Sequence, residues 1–123
     1  MKKAIILTCE GYKDYEATYP YYRLLEEGFE VDVMSNVLGK VKGILGGSIP
    51  SNFLLSELNS KKTFNEFLAK YDILIIPGGV LSLEKLRLEK DAIKFVVEWN
   101  KKEKIIGSIC SGAQMLISAD IIK

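Results

Sequence analysis

Four short apolar runs constrain this chain more than anything else in it. They occupy residues 3–8 (KAIILT), 29–35 (FEVDVMS), 72–77 (DILIIP) and 104–109 (KIIGSI). Each is strand-length and rich in β-branched residues, and the stretches between them carry helical spacing. Strands that alternate with helices imply crossover connections, hence a parallel sheet covered on both faces, the α/β class. The first helix is expected over residues 14–27, with Asp14 as N-cap and Gly28 as the C-terminal stop. Pro20 falls inside it and predicts a kink unless the helix starts later. The glycine-rich segment 36–52 (NVLGKVKGILGGSIPSN) reads as short hairpin strands or loop. Further helices are expected at 63–69 and 91–101, the latter with Ala92, Phe95, Val96 and Trp99 on one face. A charged stretch follows the turn Pro77–Gly78–Gly79, and a last helix begins near Ser111 or Gly112.

Composition narrows the function. The 123 residues suit one domain, and no repeat, linker or low-complexity tract divides them. Net charge is +1 and the lysines are scattered, which argues against nucleic acid or anionic lipid as a partner. The apolar runs are far too short to span a membrane, and the start MKKAIILT reads as a strand rather than a signal peptide. Two cysteines without an export signal suggest free thiols in a reducing cytoplasm. There is no histidine, so the commonest general base and the commonest zinc ligand are both missing. No metal-ligand spacing is present; neither a metal nor a cofactor is expected.

In open parallel sheets the ligand edge lies at the carboxyl ends of the strands. Three segments should meet there: residues 9–16, the turn 77–79, and the corner at Cys110. Cys110 lies between a strand and a helix, in the stretch KIIGSICSGAQMLISA. A sharp turn there lifts a nucleophile out of the sheet, and Gly112 lets the helix backbone pass close by. Backbone N–H groups at a helix start favour a thiolate and can hold an oxyanion, with Gly79 as a second donor. Glu16, early in the first helix, is placed to hydrogen-bond the sulfur and move a proton. Structural readings stand beside these: Cys110 as a buried core thiol, and Glu16 as an acid serving its helix dipole. Cys9 reads as strand core, with a resolving thiol as the alternative. The tyrosines at 12, 15, 19, 21 and 22 read as packing or subunit interface. GILGGS lacks the Gly-Lys-Ser/Thr ending of a phosphate loop.

Together AIILTCEGYKDYEATYP, YDILIIPGG and IIGSICSGAQMLISA resemble the ThiJ/PfpI superfamily, which includes intracellular protease I and the Parkinson-linked deglycase. The resemblance implies a flavodoxin-like parallel sheet sandwiched by helices with a cysteine nucleophile elbow. It also implies a homodimer or higher homo-oligomer. By resemblance Cys110 is the reactive cysteine, Glu16 its carboxyl partner, and the backbones of Gly79 and Ser111 the oxyanion donors, with Gly78 a binding residue of the same turn. Glu84 resembles an acid that protease-like members offer to a neighbouring subunit. Those members carry histidine directly after the cysteine; here Ser111 stands there, as a small residue does in deglycase-like members. Family members continue past this point with further strands and a closing helix. The expectation is therefore a single domain over 1–123 lacking C-terminal elements, which a second chain could supply.

These residues imply a cysteine-dependent enzyme acting on small carbonyl or acyl compounds, glyoxalase- or deglycase-like. The alternative is a peroxide-sensing or chaperone-like stress protein that uses oxidation of Cys110. An intracellular peptidase ranks below both, and a glutamine amidotransferase, which needs a downstream histidine and acid, ranks last. Isonitrile hydration is a further chemistry of the family.

Overall fold

The structure, a computed structural model, describes residues 2–121. Strands β1 (Lys3–Leu7), β2 (Glu30–Ser35), β5 (Phe53–Leu54), β6 (Ile73–Ile76) and β7 (Ile105–Ser108) form one sheet in the order β5-β2-β1-β6-β7. Every pair in it is parallel, with Ile5 opposite Asp32 on one side and Leu74 on the other. The alternation of side chains along a strand fixes what each face carries. Ile5, Leu7, Leu74 and Ile76 point into one core, which α2 (Lys61–Lys70), α3 (Val80–Leu86), α4 (Lys90–Lys101) and α5 (Ala113–Ser118) cover. Ala4, Ile6, Val31 and Val33 point the other way, under α1 (Asp14–Glu26) and the antiparallel hairpin of β3 (Gly39–Lys42) and β4 (Ser48–Ser51). Two faces filled by apolar side chains make the strands the centre of a three-layer sandwich, the flavodoxin-like arrangement.

The amphipathic spacing of α4 does what its sequence implies. Ala92, Phe95, Val96 and Trp99 are all buried, each large side chain contributing about 1.5–3 kcal/mol by leaving water. Trp99 keeps its polar end satisfied by donating Nε1–H to the Ile105 carbonyl at 3.1 Å.

Some local expectations are corrected. Lys13, not Asp14, is the N-cap of α1, and it makes no side-chain cap. Asp14 is the first helical residue, and its carboxylate accepts from the Leu45 N–H (2.8 Å) and the Gly47 N–H (2.7 Å). The acid thus ties the β3–β4 loop to the start of α1 instead of closing its own helix. α1 runs on through Pro20, which withholds only the N–H that the Glu16 carbonyl would otherwise accept. The charged stretch after the glycine turn is α3, whose apolar side is just Leu83 and Leu86, too brief to register as a periodic pattern. Of the five clustered tyrosines, Tyr12 is buried with its hydroxyl on the Val41 carbonyl, whereas Tyr15, Tyr19 and Tyr22 are exposed.

Candidate active site

The carboxyl ends of β1, β6 and β7 lie side by side, and the chain leaves each of them differently. Beyond β7, Ile109 stays extended and donates its N–H to the Ile76 carbonyl at 3.1 Å. Cys110 then turns sharply, with φ at 52° in the left-handed region. A non-glycine residue there costs about 1 kcal/mol or more, so the surrounding structure must impose it. Cys110–Gly112 make one turn of 3-10 helix that leads directly into α5. A side chain at Gly112 would run into the Ile76 carbonyl, so glycine is what lets this turn press onto the end of β6. The outcome is a cysteine held out on a corner with its side chain exposed.

Beyond β6, Pro77, Gly78 and Gly79 form a turn that ends at the start of α3. It is stitched to both neighbours. The Lys13 N–H donates to the Gly78 carbonyl at 3.0 Å, which fixes the entry of α1 beside it. The Gly78 N–H donates to Glu16 Oε1 at 3.0 Å, and the Gly79 N–H to Ser111 Oγ at 2.9 Å. A Cβ on Gly78 would meet Glu16 Oε1, Ser111 Oγ and the Ile109 carbonyl together. That convergence shows how tightly the carboxylate of α1 and the hydroxyl of the elbow close around one glycine.

Cys110, Glu16, Gly78, Gly79 and Ser111 therefore share this edge. The Gly79 N–H, expected as an oxyanion donor, is taken up by the Ser111 hydroxyl, and the Gly78 N–H beside it by Glu16. Ser111, whose backbone is the expected donor, also joins the turn through its hydroxyl. Glu84 is exposed on α3 and makes no hydrogen bond or ion pair among the described residues.

Cys9, at the end of β1, is 1% exposed and packs in the core with Leu7 and Leu83. Burial, reinforced by the nearby Glu89 charge, pushes its thiol up to about 12, so it is a thiol at neutral pH. Its N–H donates to the Ser82 hydroxyl at 3.0 Å, which also meets Thr8 Oγ1 at 3.2 Å. This buried pair anchors α3 to the end of β1. Sequence reasoning missed Ser82, because its importance emerges only once α3 is seen to lie over Cys9. The signal available was a lone serine directly after an apolar pair in VLSLEKL.

A cavity of about 540 Å³ lies elsewhere, between α2 and α4, lined by Lys61, Phe64, Lys94 and Glu98. Among the described residues no three His, Cys, Asp or Glu side chains come close enough to share a metal ion. Among the same residues no helix is long and apolar enough to cross a membrane.

Known proteins share this sequence pattern and fold. Residues 2–123 match the DJ-1/PfpI family. A deglycase of Pyrococcus horikoshii is 33% identical over 121 residues, covering 98% of this chain and 68% of its own length. The protein/nucleic acid deglycase 2 of Escherichia coli is 32% identical, over 99% of this chain and 67% of its own. Among solved structures, a two-domain protein of Anabaena variabilis with DJ-1/ThiJ/PfpI-like and ferritin-like domains superposes on the whole chain. Its TM-score is 0.86 at 29% identity, and the match takes up 33% of that protein. The elbow at Cys110, the carboxylate at Glu16 and the shared fold lead to one statement: this chain belongs to the DJ-1/PfpI family.

Proposed function

We propose that the chain carries the catalytic site of a cysteine-dependent enzyme acting on small reactive carbonyl compounds, of the glyoxalase or deglycase kind. The observation that carries this reading is the exposed Cys110 at a strained corner, with Glu16 and Ser111 converging on the adjacent glycine turn. The deglycase names of relatives near 33% identity support it. With methylglyoxal the chemistry balances without cofactor or histidine. The Cys110 sulfur attacks the aldehyde carbon, a C–S bond forms, and the carbonyl electron pair passes to oxygen, which takes up the proton lost by sulfur. Glu16 removes the hydrogen from that carbon and returns a proton at the neighbouring one, while the adduct's O–H proton passes to the neighbouring oxygen. A thioester of the hydroxy acid results, and water cleaves it to lactate and free Cys110. The test is lactate formation from methylglyoxal by the purified protein and by Cys110→Ser. Turnover that survives the substitution sinks the reading.

A second reading rests on the same exposure. Cys110 is open while Cys9 is buried, so the described pair offers no ready internal disulfide. Hydrogen peroxide would then carry the Cys110 thiolate to sulfenate, releasing water, and a second equivalent to sulfinate. Intact mass after a low peroxide dose checks it: gains of one and two oxygens confined to Cys110 support a sensing role, and an unchanged mass removes it.

A further inference from the structure

The Ser111 hydroxyl and the Glu16 carboxylate are the two side-chain groups that engage the glycine turn, and the hydroxyl is the one that directly follows the cysteine. It accepts the Gly79 N–H at 2.9 Å and makes no other hydrogen bond among the described residues. It is half-buried, directly follows Cys110 in the chain, and closes on Gly78 from the same side as Glu16 Oε1. A hydroxyl carries one donor beside its acceptor sites. Here the oxygen is occupied from the Gly79 side, which leaves the O–H to turn outward. An O–H whose oxygen already accepts a hydrogen bond is polarised and donates more strongly. The Gly79 N–H, in turn, is covered by that oxygen and does not face an adduct directly.

We propose that the Ser111 O–H, backed by the Gly79 N–H, is the group that holds the oxygen of a carbonyl adduct on Cys110. The donor is thus relayed through a side chain, and the residue after the cysteine tunes how firmly small 2-oxoaldehydes are bound. The inference rests on the proposed carbonyl chemistry. It differs from a purely backbone oxyanion hole, in which Ser111 would be a removable plug over Gly79. The two arrangements predict opposite results when the hydroxyl is deleted.

The experiment titrates ¹³C-labelled methylglyoxal into the protein and follows the hemithioacetal carbon on Cys110 by NMR, with Cys110→Ser as the blank. Ser111→Ala is expected to lower adduct occupancy roughly tenfold in equilibrium constant, the weight of one hydrogen bond. Ser111→Thr, which keeps the hydroxyl, is expected to stay within about twofold of the parent, well under one hydrogen bond's worth. Adduct in Ser111→Ala equal to or above the parent overturns the relay while leaving the carbonyl reading intact. No Cys110-dependent adduct in the parent overturns both. Alkylation by iodoacetamide, which needs the sulfur but no oxyanion donor, is run alongside. If Ser111→Ala loses alkylation as well, its elbow is distorted and Ser111→Thr decides: adduct retained supports the relay, and adduct lost overturns it.

Discussion

The two cysteines follow two strands of one sheet and meet opposite fates. Cys9 comes after β1 and Cys110 after β7, both at the carboxyl edge. Past β1 the chain slides beneath α3, where Ser82 takes the Cys9 N–H and Leu83 packs close by. Past β7 it doubles back at once, and Gly112 presses on the Ile76 carbonyl so that Cys110 is thrown outward at φ 52°. Strand position alone does not make a nucleophile. The path of the chain beyond the strand decides whether a thiol is insulated or presented. The desolvation that protects Cys9 is the same force that keeps it un-ionised.

The sharpest way to break this comparison is to exchange the losses. Cys110→Ser should reduce Cys110-dependent carbonyl turnover by about 10³-fold or more, as removal of a nucleophile does. Cys9→Ala should leave kcat/KM within about threefold, costing on the order of 1 kcal/mol of stability instead. Parallel kinetics and urea unfolding of the two variants measure both. Equal losses of turnover would mean that Cys9 takes part in the chemistry. Next in size is Glu16→Gln, which keeps an acceptor for the Gly78 N–H but removes the transferable proton. A fall in kcat of about 10²-fold with an unchanged melting temperature is expected. A fall in both would make Glu16 a structural clamp for the turn.

Legibility in the sequence divides along the same line. The strands, the helix carrying Phe95 and Trp99, and the corner at Cys110 all declare themselves through local signals: apolar runs, periodicity, and a glycine two residues past a cysteine. Ser82, Asp14 and the hydroxyl of Ser111 did not, because each acts across a long stretch of chain. Asp14 serves a loop 31 residues away, Ser82 a backbone amide 73 residues away, and Ser111 a glycine 32 residues back. Polar partners of that kind leave no period behind; they exist only after the sheet has aligned its strand ends. Glu16 was legible as a site acid, but its hydrogen bond from the Gly78 N–H, across 62 residues of chain, was not.

Ser82→Ala probes the insulated side. It leaves the Cys9 N–H buried without its partner and the Thr8 hydroxyl with only the Cys9 carbonyl at 3.5 Å, at a cost of about 1–3 kcal/mol. Chemical denaturation should register that loss, while Cys110 in the folded variant should alkylate at the parent rate. Faster alkylation of Cys9 in the same variant would show that α3 had been the lid over it.

The smallest effect is a pH dependence, and it isolates Cys9 cleanly. Its folded thiol is raised from 9.0 to about 12, with burial the main cause. Between those values the unfolded chain has released the proton and the folded chain still holds it. Stability from this group is therefore complete below pH 9 and drains away as pH rises toward 12. Tyr12, also raised by burial from 10.0 to about 12, adds a decline of the same sign. That decline is common to the parent and Cys9→Ala, so the difference between their urea midpoints between pH 8 and pH 10.5 belongs to Cys9 alone. The parent should lose stability more steeply than the variant across that window. Parallel curves would mean that Cys9 ionises in the folded protein as readily as in the unfolded one, and the contrast between an insulated and a presented thiol would then rest on access alone.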